Sequence, residues 1–306
     1  MGRSGGSNIA NISKDGMRSG QVESVRQPAT EAHAVSAGDL LVSIVQQVAA
    51  AILTNDASAA AAPPLTDEVV EAVHDTRTSV RRLRAYLRTF RPLLDLPWST
   101  ELSIELRWYQ EVLSSVRDLD VIHAWLVHAH ATQNRTEDTI ALQVMLERVA
   151  EQRLAAYRLY VDTRATPRAE AFRRQLELVP ASVPLSAKGS QSTRTFLPMV
   201  RKAKREMQDA MRLVQEDPVP DHIHQARIKA KGLRYVCDAL SPSLGRYYSR
   251  MAGDAKKIQD RLGRVRDASN ICQWLEEAAV ADPRVGFTAG KLWMLENDVA
   301  NTGLRR

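Results

Sequence analysis

Residues 74–84 read HDTRTSVRRLR, and residues 224–234 read HQARIKAKGLR. Both fit H-x-x-R-x-x-x-[RK]-x-L-R, and they stand about 150 residues apart. A second pair of blocks, Leu113-Ser-Ser-Val116-Arg117-Asp118 and Leu262-Gly-Arg-Val265-Arg266-Asp267, recurs at nearly the same offset. Two matched blocks at one offset imply an internal duplication. The duplicated text has helical period. At about 100° per residue, His74, Arg77, Arg81, Arg84, Arg88 and Arg91 share an arc of about 100° on one helix. Val80, Leu83, Leu87, Phe90 and Leu94 form an apolar stripe beside that arc, where a solvated face would lie opposite it. In the second copy His224, Arg227, Lys231 and Arg234 repeat the arrangement beside Leu233, Cys237 and Leu240. Asp238 stands where the first copy has Arg88.

Composition agrees with an all-helical chain. The 306 residues are 44% hydrophobic and only 5% aromatic, with 14 Gly and 13 Pro, so helix formers dominate. The excess of 42 Lys+Arg over 36 Asp+Glu is too small to name a partner as a sum; the placement of the charges decides. No run of about 18 uncharged apolar residues is present to span a membrane, and the N-terminus lacks the apolar core of a signal peptide. Cys237 and Cys272 form no disulfide framework or metal-ligand pair, which fits a reducing cytosol.

Residues 1–36, rich in Gly, Ser, Asn and Arg, read as a disordered tail. Helical text follows over 39–54, 66–94, 99–131 and 136–164, with Thr66 as an N-cap and Pro92 and Pro97 as punctuation. Residues 179–195 hold two Pro, one Gly and several Ser and read as a linker. The expected organisation is a first helical bundle over 37–178 and a second over 196–300, related by pseudo-symmetry.

Rows of arginine leaning towards a core repel one another and are costly to desolvate unless an anion enters between them. A polyanion is therefore the expected ligand, since the planar guanidinium binds phosphoryl oxygens in a bidentate fork. The competing reading pairs these bases with acids of neighbouring helices, for which Asp67, Glu68, Glu71, Glu101, Glu105 and Glu111 are available. Catalysis is not expected: there is no P-loop, G-x-S-x-G, H-E-x-x-H or acidic metal cluster. His123, His128 and His130 do not share a helix face, so neither a metal nor a cofactor is expected. A nucleic-acid reader would need stacking aromatics or a groove-reading helix, and the sequence offers neither.

The blocks VHDTRTSVRRLRAYLRTFRPLL (73–94), ELRWYQEVLSSVRDLDVI (105–122), IHQARIKAKGLRYVCDAL (223–240) and AKKIQDRLGRVRDASNI (255–271) resemble, in order, those of the conserved histidine α-helical domain, or CHAD, family. The resemblance covers roughly residues 37–300. It implies two four-helix bundles around a central basic channel that binds inorganic polyphosphate, in a cytoplasmic protein associated with polyphosphate or polyester storage granules. A fused triphosphate-tunnel domain, common in the family, is not expected here. Carried over by position, the resemblance assigns ligand contacts to His74, Arg77, Arg81, Arg84, Arg88, Arg107, His224, Arg227, Lys231, Arg234 and Lys256. Arg82 and Lys229 match basic positions but point away from the stripes, as rim contacts at best. A helical granule scaffold and a general polyanion or nucleic-acid binder are the alternatives.

Overall fold

Nine α-helices carry the described residues, and none of those residues forms a strand. They are α1 (Ala37–Ala61), α2 (Asp67–Thr89), α3 (Leu96–Thr132), α4 (Thr136–Arg164), α5 (Pro167–Leu178), α6 (Phe196–Glu216), α7 (Pro220–Leu244), α8 (Arg246–Ala281) and α9 (Gly286–Thr302). The structure is a computed structural model that describes residues 35–61 and 63–302. The tail expected over 1–36 lies outside them except for Val35 and Ser36. Ser36 already belongs to the fold: its Oγ accepts from the Asp39 N–H and its own N–H donates to the Asp39 carboxylate, each at 3.1 Å. That reciprocal pair caps α1.

Several helix ends differ from the sequence reading for plain reasons. Helix α1 continues past Thr54 to Ala61 because its last five residues are four alanines and a serine, and Pro63-Pro64 stops it. Helix α3 starts at Leu96, with Asp95 accepting from the Trp98 N–H at 3.0 Å. Pro97 therefore sits in the first turn, where its missing N–H costs nothing. Thr66 caps α2 as expected, accepting from the Val69 N–H.

Residues 179–195 fold back over the first helices, with short 3-10 turns at Ala187–Ser190 and Thr193–Thr195. Backbone bonds tie them down: Ala37 N–H donates to Gln191 at 2.8 Å, Asp95 N–H to Pro184 at 3.0 Å and Ser186 N–H to Leu93 at 2.9 Å. The approach at Gly38 is close enough that a β-carbon there would come 2.8 Å from the Gly189 carbonyl oxygen.

Consecutive helices pack on one another in each half, α1 to α4 and α6 to α9, and α2 meets α7 at the centre. The halves share their largest core, where Leu83, Leu87 and Phe90 join Phe196, Val200, Leu233 and Val236. Each such buried side chain contributes about 1.5–3 kcal/mol. A second core closes the far tips of α3, α4, α8 and α9 through Leu126, Leu142, Met145, Ile271, Leu275 and Leu292. There Asp138 of α4 accepts from Thr288 of α9 at 2.8 Å and pairs with Lys291. Helix α1 is long and apolar enough, by length and composition alone, to cross a membrane. Polar Ser43, Gln46 and Gln47 hide this from a search for uninterrupted apolar runs. In the fold Leu41, Ile44, Val45, Ala49 and Ile52 are buried in the shared core.

Candidate functional site

The apolar stripes of α2 and α7 enter the shared core, and the basic stripe beside each is thereby brought to the place where the two helices meet. The repeat is visible in side-chain contacts. Arg77 pairs with Asp118 at 3.3 Å, and Arg227 with Asp267 at 4.0 Å. Arg84 donates to Gln110 at 2.6 Å, and Arg234 to Gln259 at 3.3 Å. The Arg-Asp dipeptides are thus divided in function: the Asp reaches a stripe arginine. Arg117 and Arg266 instead act on His74 and His224, each imidazole being held below its ordinary pKa by burial first and by that arginine next.

A cavity of about 510 Å3 opens between α2, α3 and α7. Its bases are Arg81, Arg84, Arg88, Arg91, His224, Arg227 and Lys231, and its neutral polar groups are Ser99, Thr100, Ser103, Gln110 and Tyr235. No aspartate or glutamate lines it. The electrostatic cost registers on the bases themselves. Burial, followed by Arg81, Arg227 and Arg77, pushes the Lys231 ammonium down to about 6. Burial and Arg81 push Arg77 down to about 10. Arg81 and Arg84 are lowered as well, by burial first and then by neighbouring arginines, Arg227 acting on Arg81 and Arg107 on Arg84. The Nδ1 of His74 and the Nε atoms of Arg77 and Arg227 are buried without a hydrogen-bond partner among the described residues. Such a set of donors can accept a multiply charged oxyanion without moving any acid out of the way.

Six of the eleven assigned residues line this cavity: Arg81, Arg84, Arg88, His224, Arg227 and Lys231. His74 and Arg77 continue the α2 stripe beyond it. Arg234 turns to Asp238 at 3.3 Å, and Lys256 is exposed and paired with Asp260 at 2.6 Å. Arg107 is exposed and outside the lining, though near enough to act on Arg84. Arg82 lies 5.8 Å from the Tyr235 ring, and Lys229 pairs with Glu206 of α6 at 2.7 Å. Of the six acids that could have neutralised the row, Glu111 acts on Arg84 and Glu71 on His74, while Glu105 binds Arg168 at 2.9 Å. The sequence reading did not single out Ser99, Thr100, Ser103, Gln110 or Tyr235. Gln110 had a usable signal, since Gln110 and Gln259 each precede the repeated Leu113 or Leu262 by three residues; the hydroxyls had none. Gly232, the counterpart of Arg82, admits Arg88 across α7: a β-carbon there would fall 2.3 Å from the Arg88 Nη2.

Fold and repeat define an all-helical domain in which two helices that carry the same basic motif meet. The chain belongs to the CHAD family, whose domain description matches residues 43–276. Two solved structures share the fold. PptA from Streptomyces chartreusis aligns at TM-score 0.69 and 22% identity, covering 88% of this chain and 96% of that one. The CHAD domain from the plant Ricinus communis aligns at TM-score 0.67 and 20% identity, covering 89% and 92%. An uncharacterized protein of Mycobacterium tuberculosis strain H37Rv is 25% identical over 248 residues, which are 76% of this chain and 46% of that protein. A second, from strain CDC 1551, matches with the same figures. The chain spans about half the length of these relatives.

Proposed function

We propose that the protein binds inorganic polyphosphate, without catalysis, along the bases of α2 and α7. The observation that carries this reading is the cavity with seven bases and no carboxylate in its lining. Membership of the CHAD family supports a chain of phosphates as the polyanion, and the scarcity of aromatics argues against a nucleic acid. Each phosphate neutralised by Arg or Lys releases condensed counterions, so affinity falls steeply with salt.

The discriminating experiment titrates long-chain polyphosphate against equal charge of single-stranded DNA, RNA and heparin. Polyphosphate is expected to win at equal charge; equal competition by DNA would replace this reading with a general polyanion sink. A second reading, a scaffold on storage granules in the cytoplasm, draws on the exposed apolar side chains Val280, Phe287, Met294 and Leu295 at the end of α8 and along α9. A fluorescent fusion that stays on granules after polyphosphate is depleted would favour the scaffold.

A further inference from the structure

Where the first copy places Arg81, the second places Lys231, the one lysine in the cavity lining. An amine differs from a guanidinium in chemistry as well as shape, because it can lose its proton and attack an electrophile. Lys231 makes no hydrogen bond or ion pair with any described residue. The charged groups that act on it are Arg77 and Arg81 of α2, Arg227 of its own helix and Asp267 of α8, three cations against one acid.

We propose that Lys231 is an acylation site for small acyl phosphates, whose phosphate seats on Arg81 and Arg227 while the neighbouring amine takes the acyl group. The Nζ lone pair forms a bond to the carbonyl carbon, the bond from that carbon to the phosphate oxygen breaks, and inorganic phosphate leaves with the electron pair. The amine proton passes to solvent, and the product is a neutral amide. No oxidant or reductant is needed. A lysine made nucleophilic by burial and cationic neighbours is an established device, and the depressed Lys231 ammonium meets that condition at neutral pH. The arginines that depress it also bind the leaving phosphate. Unlike the amine, the amide cannot take up a proton when a polyanion enters, so the modification weakens polyanion binding there. This inference rests on the anion-binding reading of the cavity.

The test incubates the full chain with acetyl phosphate at pH 7.5 and measures acetyl-lysine at each position by peptide mass spectrometry. Lys231 is expected to be acetylated roughly tenfold faster than exposed Lys202 and Lys257, since an ordinary lysine at that pH is only about 0.1% neutral. Tripolyphosphate should suppress acetylation at Lys231 and leave Lys202 unchanged, and unfolding in urea should abolish the preference. Modification of Lys231 no faster than that of Lys202 overturns the proposal. So does preference for Lys231 with p-nitrophenyl acetate but not with acetyl phosphate, because phosphate seating would then play no part. Polyphosphate binding measured on the unmodified chain separates the two claims: if it binds tightly while acetyl phosphate ignores Lys231, only the acylation site falls. If polyphosphate does not bind and tripolyphosphate does not protect, the proposed function falls first.

Discussion

Two buried charge clusters in this protein are built on opposite terms. Asp56 of α1, only 2% exposed, accepts from Tyr109, from Tyr160 at 2.9 Å and from two arms of Arg164 at 2.7–3.0 Å. Burial and the Asp56 charge raise the pKa of the Tyr109 hydroxyl, keeping it a donor. The cavity between α2, α3 and α7 has seven bases and no acid in its lining, and its lysine is pushed down to about 6. A chain with 36 acids that can gather three side chains around one carboxylate does not keep acids out of a basic lining for lack of material. The first cluster is charge spent on the fold. The second is a cost to the fold, which is the pattern expected of the proposed ligand site, since sites tuned away from stability commonly carry function.

The contrast can be broken at either end. Arg164→Ala leaves Asp56 buried without its cation and should cost about 3–5 kcal/mol in chemical denaturation; a loss below about 1 kcal/mol would erase the distinction. Reversing Arg77, Arg81 and Arg84 to Glu should lower polyphosphate affinity by at least about a hundredfold at moderate salt. Helical circular dichroism should stay near wild type, and retained affinity would sink the assignment of these residues. Lys231→Met should do what no change at Asp56 can, stabilising the protein by about 1 kcal/mol at neutral pH while weakening binding. The sign follows from a base whose folded pKa lies below its ordinary 10.5. Its unfavourable contribution is full below pH about 6 and fades as the pH rises towards 10.5, so the stability gap between variant and wild type should close over that range. The smallest effect is expected at the departure between the copies. Asp238→Asn removes the acid that holds Arg234 at 3.3 Å and should raise affinity about twofold, read by the same titration.

The row of bases was legible in the sequence because helical period is a rigid rule: once Leu83 and Leu87 must face a core, the directions of Arg81, Arg84 and Arg88 follow. The duplication was legible for the same reason, and it located the lysine that replaces an arginine. The third wall of the cavity was not. Ser99, Thr100 and Ser103 come from the first turns of α3, and nothing local distinguishes hydroxyls on a cavity wall from hydroxyls in water. Arg107 and Lys256 share an offset with the repeat yet lie outside the lining, because equivalence by alignment carries no information about which side of a helix meets the partner half. The sharing of the main core by both halves was equally invisible, since an apolar stripe does not state whose stripe covers it.

Asp56 also ties α1 to particular neighbours. By length and composition alone that helix could cross a membrane, yet near its C-terminal end it carries a buried carboxylate that needs specific donors. The donors that satisfy it, Tyr109, Tyr160 and Arg164, come from α3 and α4. The neighbours of α1 are thus specified by three polar side chains as well as by its apolar face, and one carboxylate fixes the helix's register against them.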